Sequence, residues 1–171
     1  VLEPWLTHRA SMVFFYFYAH WWGVPFERKS LGDHMGWQVE PPLEELDDIE
    51  LLERSDHKVD EEETARDVAK LREAVGDILP VVVDRSSIYR AFPGDLSTDV
   101  GYLRGVEQIM WDMIDNPEWF HRLMGFLREG VLRNHKQCEE AGDWRLHSHS
   151  NQSMPYTEDL PDPAADSSAV G

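Results

Sequence analysis

The stretch DNPEWFHRLMGFLREGVLRNHKQCEEAGDWRLHSHS, residues 115–150, decides how this chain folds, because it spells a helix and then a strand with polar chemistry at the strand's end. Asp115 and Asn116 stand before Pro117, whose missing N–H and preset φ suit a first helical turn, so a helix starts there. Phe120, Leu123, Met124, Leu127, Val131, Leu132 and Cys138 recur with a period of about 3.6 residues and would bury one face. Gly142 supplies the residue at which a helix stops. A helix of about 25 residues is therefore predicted. Residues 144–150 then alternate as a short strand does, and His147, Ser148, His149, Asn151 and Gln152 gather hydrogen-bonding groups at its end. A ligand is expected there.

Outward from this stretch, residues 100–114 read as a second helix, preceded by a loop or short helical turn over 86–99. Pro80 to Asp84 reads as a strand covered on both faces, because three consecutive valines suit such a position, and Asp84 and Arg85 end it. Asp60 can cap a helix carrying Ala65, Val68, Leu71 and Val75 at helical spacing, with Gly76 beyond its end. Residues 24–31 and 37–41 flank a loop bounded by Gly32 and Gly36, which is a hairpin pattern. The run 11–22 is apolar all round, and its aromatics lean it toward a strand. Residues 1–6 read as the end of a further strand, with Pro4 against a central position.

Strand, helix, strand, paired helices, strand is the alternation that builds a parallel sheet with right-handed crossovers. No Gly-x-Gly-x-x-Gly follows any strand, so the leading architecture is an α/β fold of the TIM-type barrel kind, not a dinucleotide-binding sheet. One domain is expected over 1–171, with a hairpin excursion near 24–41 and an irregular tail near 160–171. The first residue is Val1 and the last residues are small and polar, so both ends look cut, and the chain reads as about the first half of a barrel.

The 171 residues are 42% hydrophobic and 11% aromatic, enough for a substantial core. A formal net charge of -17 repels a phosphate backbone and argues against nucleic acid as a partner. The apolar run 12–22 is shorter than the roughly 20 residues a membrane helix needs. The single Cys138 lies on an apolar helix face, which fits a buried thiol and a reducing, cytoplasmic setting. The acidic segment 40–67 reads as solvated surface, since none of its loops has the spacing and glycine of a calcium-binding hand.

GWQVEPPLEELDDIELL (36–52), AKLREAVGDILPVVVD (69–84) and QIMWDMIDNPEWFHRLMGFLREGVLRNHKQCEEAGDW (108–144) resemble the uroporphyrinogen decarboxylase superfamily, which includes cobalamin-dependent methyltransferases. The portion DNPEWFHRLMGFL is the most specific. The resemblance implies a TIM-type barrel and an enzyme, methyltransferase-like or a decarboxylase, acting on a small or tetrapyrrole-associated substrate at the C-terminal mouth of the barrel. It also implies cobalamin carried by a corrinoid partner protein. Glu3 stands nearest to the strand-end aspartate of the decarboxylases, and the methyltransferases' His-x-Cys zinc pair is matched only in spacing, by His147 and His149.

Residues two apart on a strand share a face, so His147 and His149 can present both imidazoles to one zinc ion, or contact substrate directly, or simply hydrogen-bond at a strand end. Glu3 and Asp84 join them as candidate catalytic groups. Arg85, Asn151 and Tyr156 are candidate substrate-binding residues, Arg85 because a cation beside a strand-end carboxylate can orient an anion. An ordinary Asp84–Arg85 ion pair is the plainer alternative. A non-catalytic scaffold of the same fold is another, and a half barrel would need a second copy or further residues over its open sheet edges.

Overall fold

The computed structural model describes residues 5–13, 22–25, 27–30, 32, 36–90 and 94–144. Within them lie strands β1 (Leu6–Arg9), β2 (Glu27–Ser30) and β3 (Trp37–Glu40), helix α1 (Glu61–Val75), strand β4 (Val81–Asp84), and helices α2 (Leu96–Arg104), α3 (Val106–Asp115) and α4 (Pro117–Glu140). A 3-10 helix covers Leu46–Leu51. Two compact units divide the chain: one takes the residues up to Val13, His57–Ile88 and those from Asn134, the other the residues between Val13 and His57 together with Tyr89–Arg133.

In the first unit β1 and β4 pair in parallel, in register from Leu6 opposite Val81 to Arg9 opposite Asp84. Parallel neighbours need a crossover, and α1 stands between them in the chain. Asp60 starts α1 by accepting from the Glu63 N–H at 2.9 Å, and Glu61, Glu62 and Glu63 place negative charge on the positive end of the helix dipole. Gly76 ends it. Val68 and Thr64 are buried, whereas Ala65, expected on the inner face, is exposed. Thr64 takes that inner position because its hydroxyl accepts from the Ser11 N–H at 3.0 Å. The β4 valines are half-buried, not covered on both faces as their composition suggested; among the described residues β1 is the sole neighbour of β4.

The second unit holds the antiparallel pair β2–β3, the 3-10 helix, α2, α3 and the first part of α4. Leu103, Leu123 and Leu127 are fully buried, and each contributes about 1.5–3 kcal/mol of hydrophobic stabilisation. Trp22 stacks on Tyr89 at 5.4 Å between ring centroids and lies 6.2 Å from Phe126. Gly130 permits this: a Cβ there would stand 2.6 Å from the Trp22 ring. The single helix read over 100–114 is two helices. Asp95 caps the first by accepting from Ser97, and Gly105, at φ +84°, breaks the run where a Cβ would meet Pro41 at 3.1 Å.

Helix α4 has 24 residues and begins at Pro117, close to the length and start its sequence predicts. Cys138 is buried on it. Leu132 is exposed, because it lies half a turn round from the Leu123–Leu127–Cys138 stripe. Its end is a double cap: the Gly142 N–H donates to Glu139 O at 2.9 Å and the Asp143 N–H to Cys138 O at 3.0 Å, with Gly142 at φ +69°.

The described residues are mixed helix and strand, consistent with an α/β class, but their strands form only a parallel pair and an antiparallel pair. A TIM-type barrel needs a closed ring of parallel strands, and these residues do not show one. The strand read over 144–150 falls, apart from Trp144, outside the described residues, as do residues 1–4 and most of the run 11–22. No helix among the described residues is long and apolar enough to cross a membrane.

Candidate functional site

Parallel β-strands deliver their final residues to one edge, and the C-terminal ends of β1 and β4 bring Arg9 opposite Asp84. Asp84 is 1% exposed. Its Oδ1 accepts from the Ser86 N–H at 3.0 Å and from the Ser86 hydroxyl, so this carboxylate also organises the turn that follows the strand. Burial pulls the Arg9 guanidinium down from its ordinary pKa, and the charge on Asp84 opposes that pull. Ser87, next along, donates to Asn134 Oδ1 at 2.8 Å, which ties the strand end to α4 through two fully buried side chains.

Arg85 turns to different partners. Its Nη1 and Nη2 reach the two oxygens of Glu61 at 3.0 and 2.5 Å, and its Nε donates to Asp143 Oδ1 at 2.8 Å. Glu61 is the first residue of α1, and Asp143 is set down by the double cap ending α4. The second oxygen of Asp143 lies 2.8 Å from His57 Nε2. His57 is held in turn by its backbone N–H, which donates to Gln137 Oε1 at 2.8 Å. The result is a continuous chain from His57 through Asp143 and Arg85 to Glu61.

The electrostatics of that chain are those of an anchored cation. Hydrogen bonding to Glu61 leads the causes that raise the Arg85 pKa, with the Asp143 bond and both carboxylate charges adding to it against desolvation. Burial by itself would raise the Asp143 carboxyl, but the His57 and Arg85 bonds and charges outweigh it and hold the group below the usual carboxylate range. Glu61 is lowered chiefly by the hydrogen bond from Arg85. His57 Nδ1 is buried without a hydrogen-bond partner. The Arg85 side chain keeps 32% of its surface exposed, enough for an anion to approach its edge.

A second polar cluster lies in the second unit. Arg104 donates from Nε to Asp112 Oδ2 at 2.6 Å and from Nη2 to Asp112 Oδ1 at 3.2 Å, while Nη1 donates to the carbonyls of Leu43 and Glu44 at 2.8 and 2.7 Å. Gln108 and Asn116 donate to Asp112 at 3.2 and 3.1 Å, and the guanidinium lies 4.8 Å from the Trp119 ring centroid. Two open grooves of about 470 and 490 Å³ share Pro41, Arg104 and Gln108 in their walls. Four of Arg104's five N–H donors are already committed, so this pair is architecture.

Of the residues the sequence singled out, Asp84 and Arg85 lie at the strand end as expected, yet they do not bond to each other. Glu3, His147, His149, Asn151 and Tyr156 lie outside the described residues. Among the described residues no three His, Cys, Asp or Glu side chains form a group that could hold a metal ion. His57, Glu61 and Asp143 were not singled out. Their spacing carries no motif, and the available clue was indirect: Asp143 follows the glycine that must end α4. The chain matches no protein-family model, no curated protein and no solved structure.

Proposed function

We propose that this chain belongs to an enzyme of the uroporphyrinogen decarboxylase superfamily, methyltransferase-like in its chemistry, that binds a small or tetrapyrrole-associated anionic substrate beside the C-terminal ends of β1 and β4. The observation that supports this reading is the strand-end placement of Arg9 opposite Asp84, with Arg85 next in the chain and partly exposed. Two cations at the ends of parallel strands suit carboxylate binding, and α/β folds bind ligands at that edge. In this reading Arg85 orients the substrate, Asp84 keeps the strand-end turn in place, and the buried His57 holds Asp143 against Arg85. Zinc on His147 and His149 would supply a Lewis acid, and a corrinoid partner would carry the methyl group.

A non-catalytic scaffold is the competing reading, favoured by the engagement of Asp84 with Ser86 and of Arg85 with Glu61 and Asp143. Assays of methyl transfer from methylcobalamin to a thiol with zinc present, and of carboxyl loss from uroporphyrinogen, separate the possibilities. Methyl transfer that falls in Arg85→Met and His147→Ala is expected. Carboxyl loss without methyl transfer would make the protein a decarboxylase. Absence of both reactions, and of uroporphyrin binding followed by tryptophan fluorescence, would leave the scaffold.

A further inference from the structure

Helix α3 is amphipathic in the reverse sense for a helix that serves only its own core. Its buried position is a carboxylate, Asp112, engaged by Arg104, Gln108 and Asn116. Apart from the half-buried Ile109, its apolar side chains face solvent: Val106, Met110, Met113 and Ile114 follow the spacing of one helical stripe, with Trp111 beside it, and Ile114 is 75% exposed and Met110 60%. Val106 and Trp111 also wall the groove of about 490 Å³, together with Val39 and Pro41 of the β3 end. A contiguous exposed apolar stripe next to a groove is the form of an interaction site, and methionines let such a surface adapt to its partner.

The charges around the stripe select the occupant. Glu107 lies within it, Asp115 ends the helix and Glu118 follows in the first turn of α4; among the described residues none of these three has an ion-pair partner. The whole chain carries a net charge of -17. A second copy seated here would bring like carboxylates together. We propose that the α3 face is the docking site for a cationic amphipathic helix of a partner protein, whose apolar side meets Met110, Trp111 and Ile114 while its lysines or arginines meet Glu107, Asp115 and Glu118. Helix-in-groove recognition needs this combination of anchors and rim charge.

Isothermal titration of the full chain with a synthetic Leu/Lys amphipathic helix tests the proposal, with a Ser/Lys peptide of equal charge as the control. Saturable one-to-one binding of the Leu/Lys peptide, roughly tenfold or more tighter than the Ser/Lys peptide, is expected. The surface variant Met110→Ser/Ile114→Ser should weaken it by a similar factor, Glu107→Gln/Asp115→Asn should reduce its salt dependence, and Ile78→Ser, at an exposed apolar residue of the first unit, should change neither. Equal binding of both peptides, or unchanged binding by Met110→Ser/Ile114→Ser, would overturn the assignment. So would a dimer in sedimentation velocity that this double variant dissociates, since the face would then belong to a second copy.

Discussion

Arg104 and Arg85 each hold an aspartate, and what surrounds the two pairs sets them apart. Arg104–Asp112 is sealed: the side chains are 4% and 0% exposed, and backbone carbonyls and neutral amides take up most of the hydrogen-bonding capacity that the pair leaves over. Removing two charges from water costs several kcal/mol per ion, so such a pair persists only when its hydrogen bonds are complete. Arg85–Asp143 is half open, shared with the exposed Glu61 and the buried His57. A sealed pair holds a fold in place. A half-open one keeps a cation where a ligand can compete for it.

The comparison is tested most severely at Asp112. Asp112→Ala would strand a buried guanidinium, and a loss of about 3–5 kcal/mol in denaturant unfolding is expected. A loss under about 1 kcal/mol, the size typical of an exposed pair, would show that the arginine has a ready escape to water and that the seal is illusory.

The second test uses a buried acid with no cation. Asp99 accepts from Trp22 Nε1 at 3.2 Å, and burial pushes its pKa up to about 7 despite that bond, with Asp95 adding to the rise. Its folded pKa exceeds the unfolded value, so the native state binds the extra proton between them. Stability should then fall as pH rises from about 4 to about 7, by at most about 1.4 kcal/mol per pH unit. Asp99→Asn keeps an acceptor for Trp22 and should flatten that slope, making the variant more stable than the parent at pH 8. Parallel pH–stability curves for the two proteins would refute the burial argument.

Asp143 should show the opposite sign. Its folded pKa is depressed, so its contribution is present above the unfolded carboxylate value near 4 and is lost as acid carries the pH through the folded value. Asp143→Asn leaves His57 and Arg85 with poorer partners, and a cost of about 1–3 kcal/mol at neutral pH is expected, vanishing in acid. A cost that persists unchanged at low pH would mean that shape, not charge, holds the network.

The smallest effect is predicted for Glu61→Gln, about 0.2–1 kcal/mol, because the carboxylate is exposed and water screens its bidentate contact with Arg85. If Arg85 serves an anionic ligand, the same substitution should strengthen anion binding by freeing the guanidinium, measured by titration with uroporphyrin. Weaker binding would assign Glu61 to positioning Arg85.

The sequence by itself determined the local elements whose signals are chemical and adjacent. Helix α4 was legible from Pro117, the apolar stripe and Gly142, and α1 from Asp60, Val68 and Gly76, because capping and periodicity act over a few residues. The placement of Asp84 and Arg85 at a strand end was legible for the same reason. Tertiary structure alone decided the rest. Only packing shows that the helical pattern of 100–114 breaks at Gly105, where the backbone approaches Pro41, and that Thr64 turns inward in place of Ala65 to hold Ser11. The partners of Arg85 come from the first residue of α1 and from beyond α4, His57 joins from before α1 through Asp143, and no local rule links residues 57, 61, 85 and 143. Their association depends on long-range burial, in which an aspartate placed by a helix cap meets both a histidine held by Gln137 and the cation at the end of β4. Charge and hydropathy along the chain could likewise mark α3 as amphipathic, but which of its faces meets water was settled by Arg104 drawing Asp112 inward.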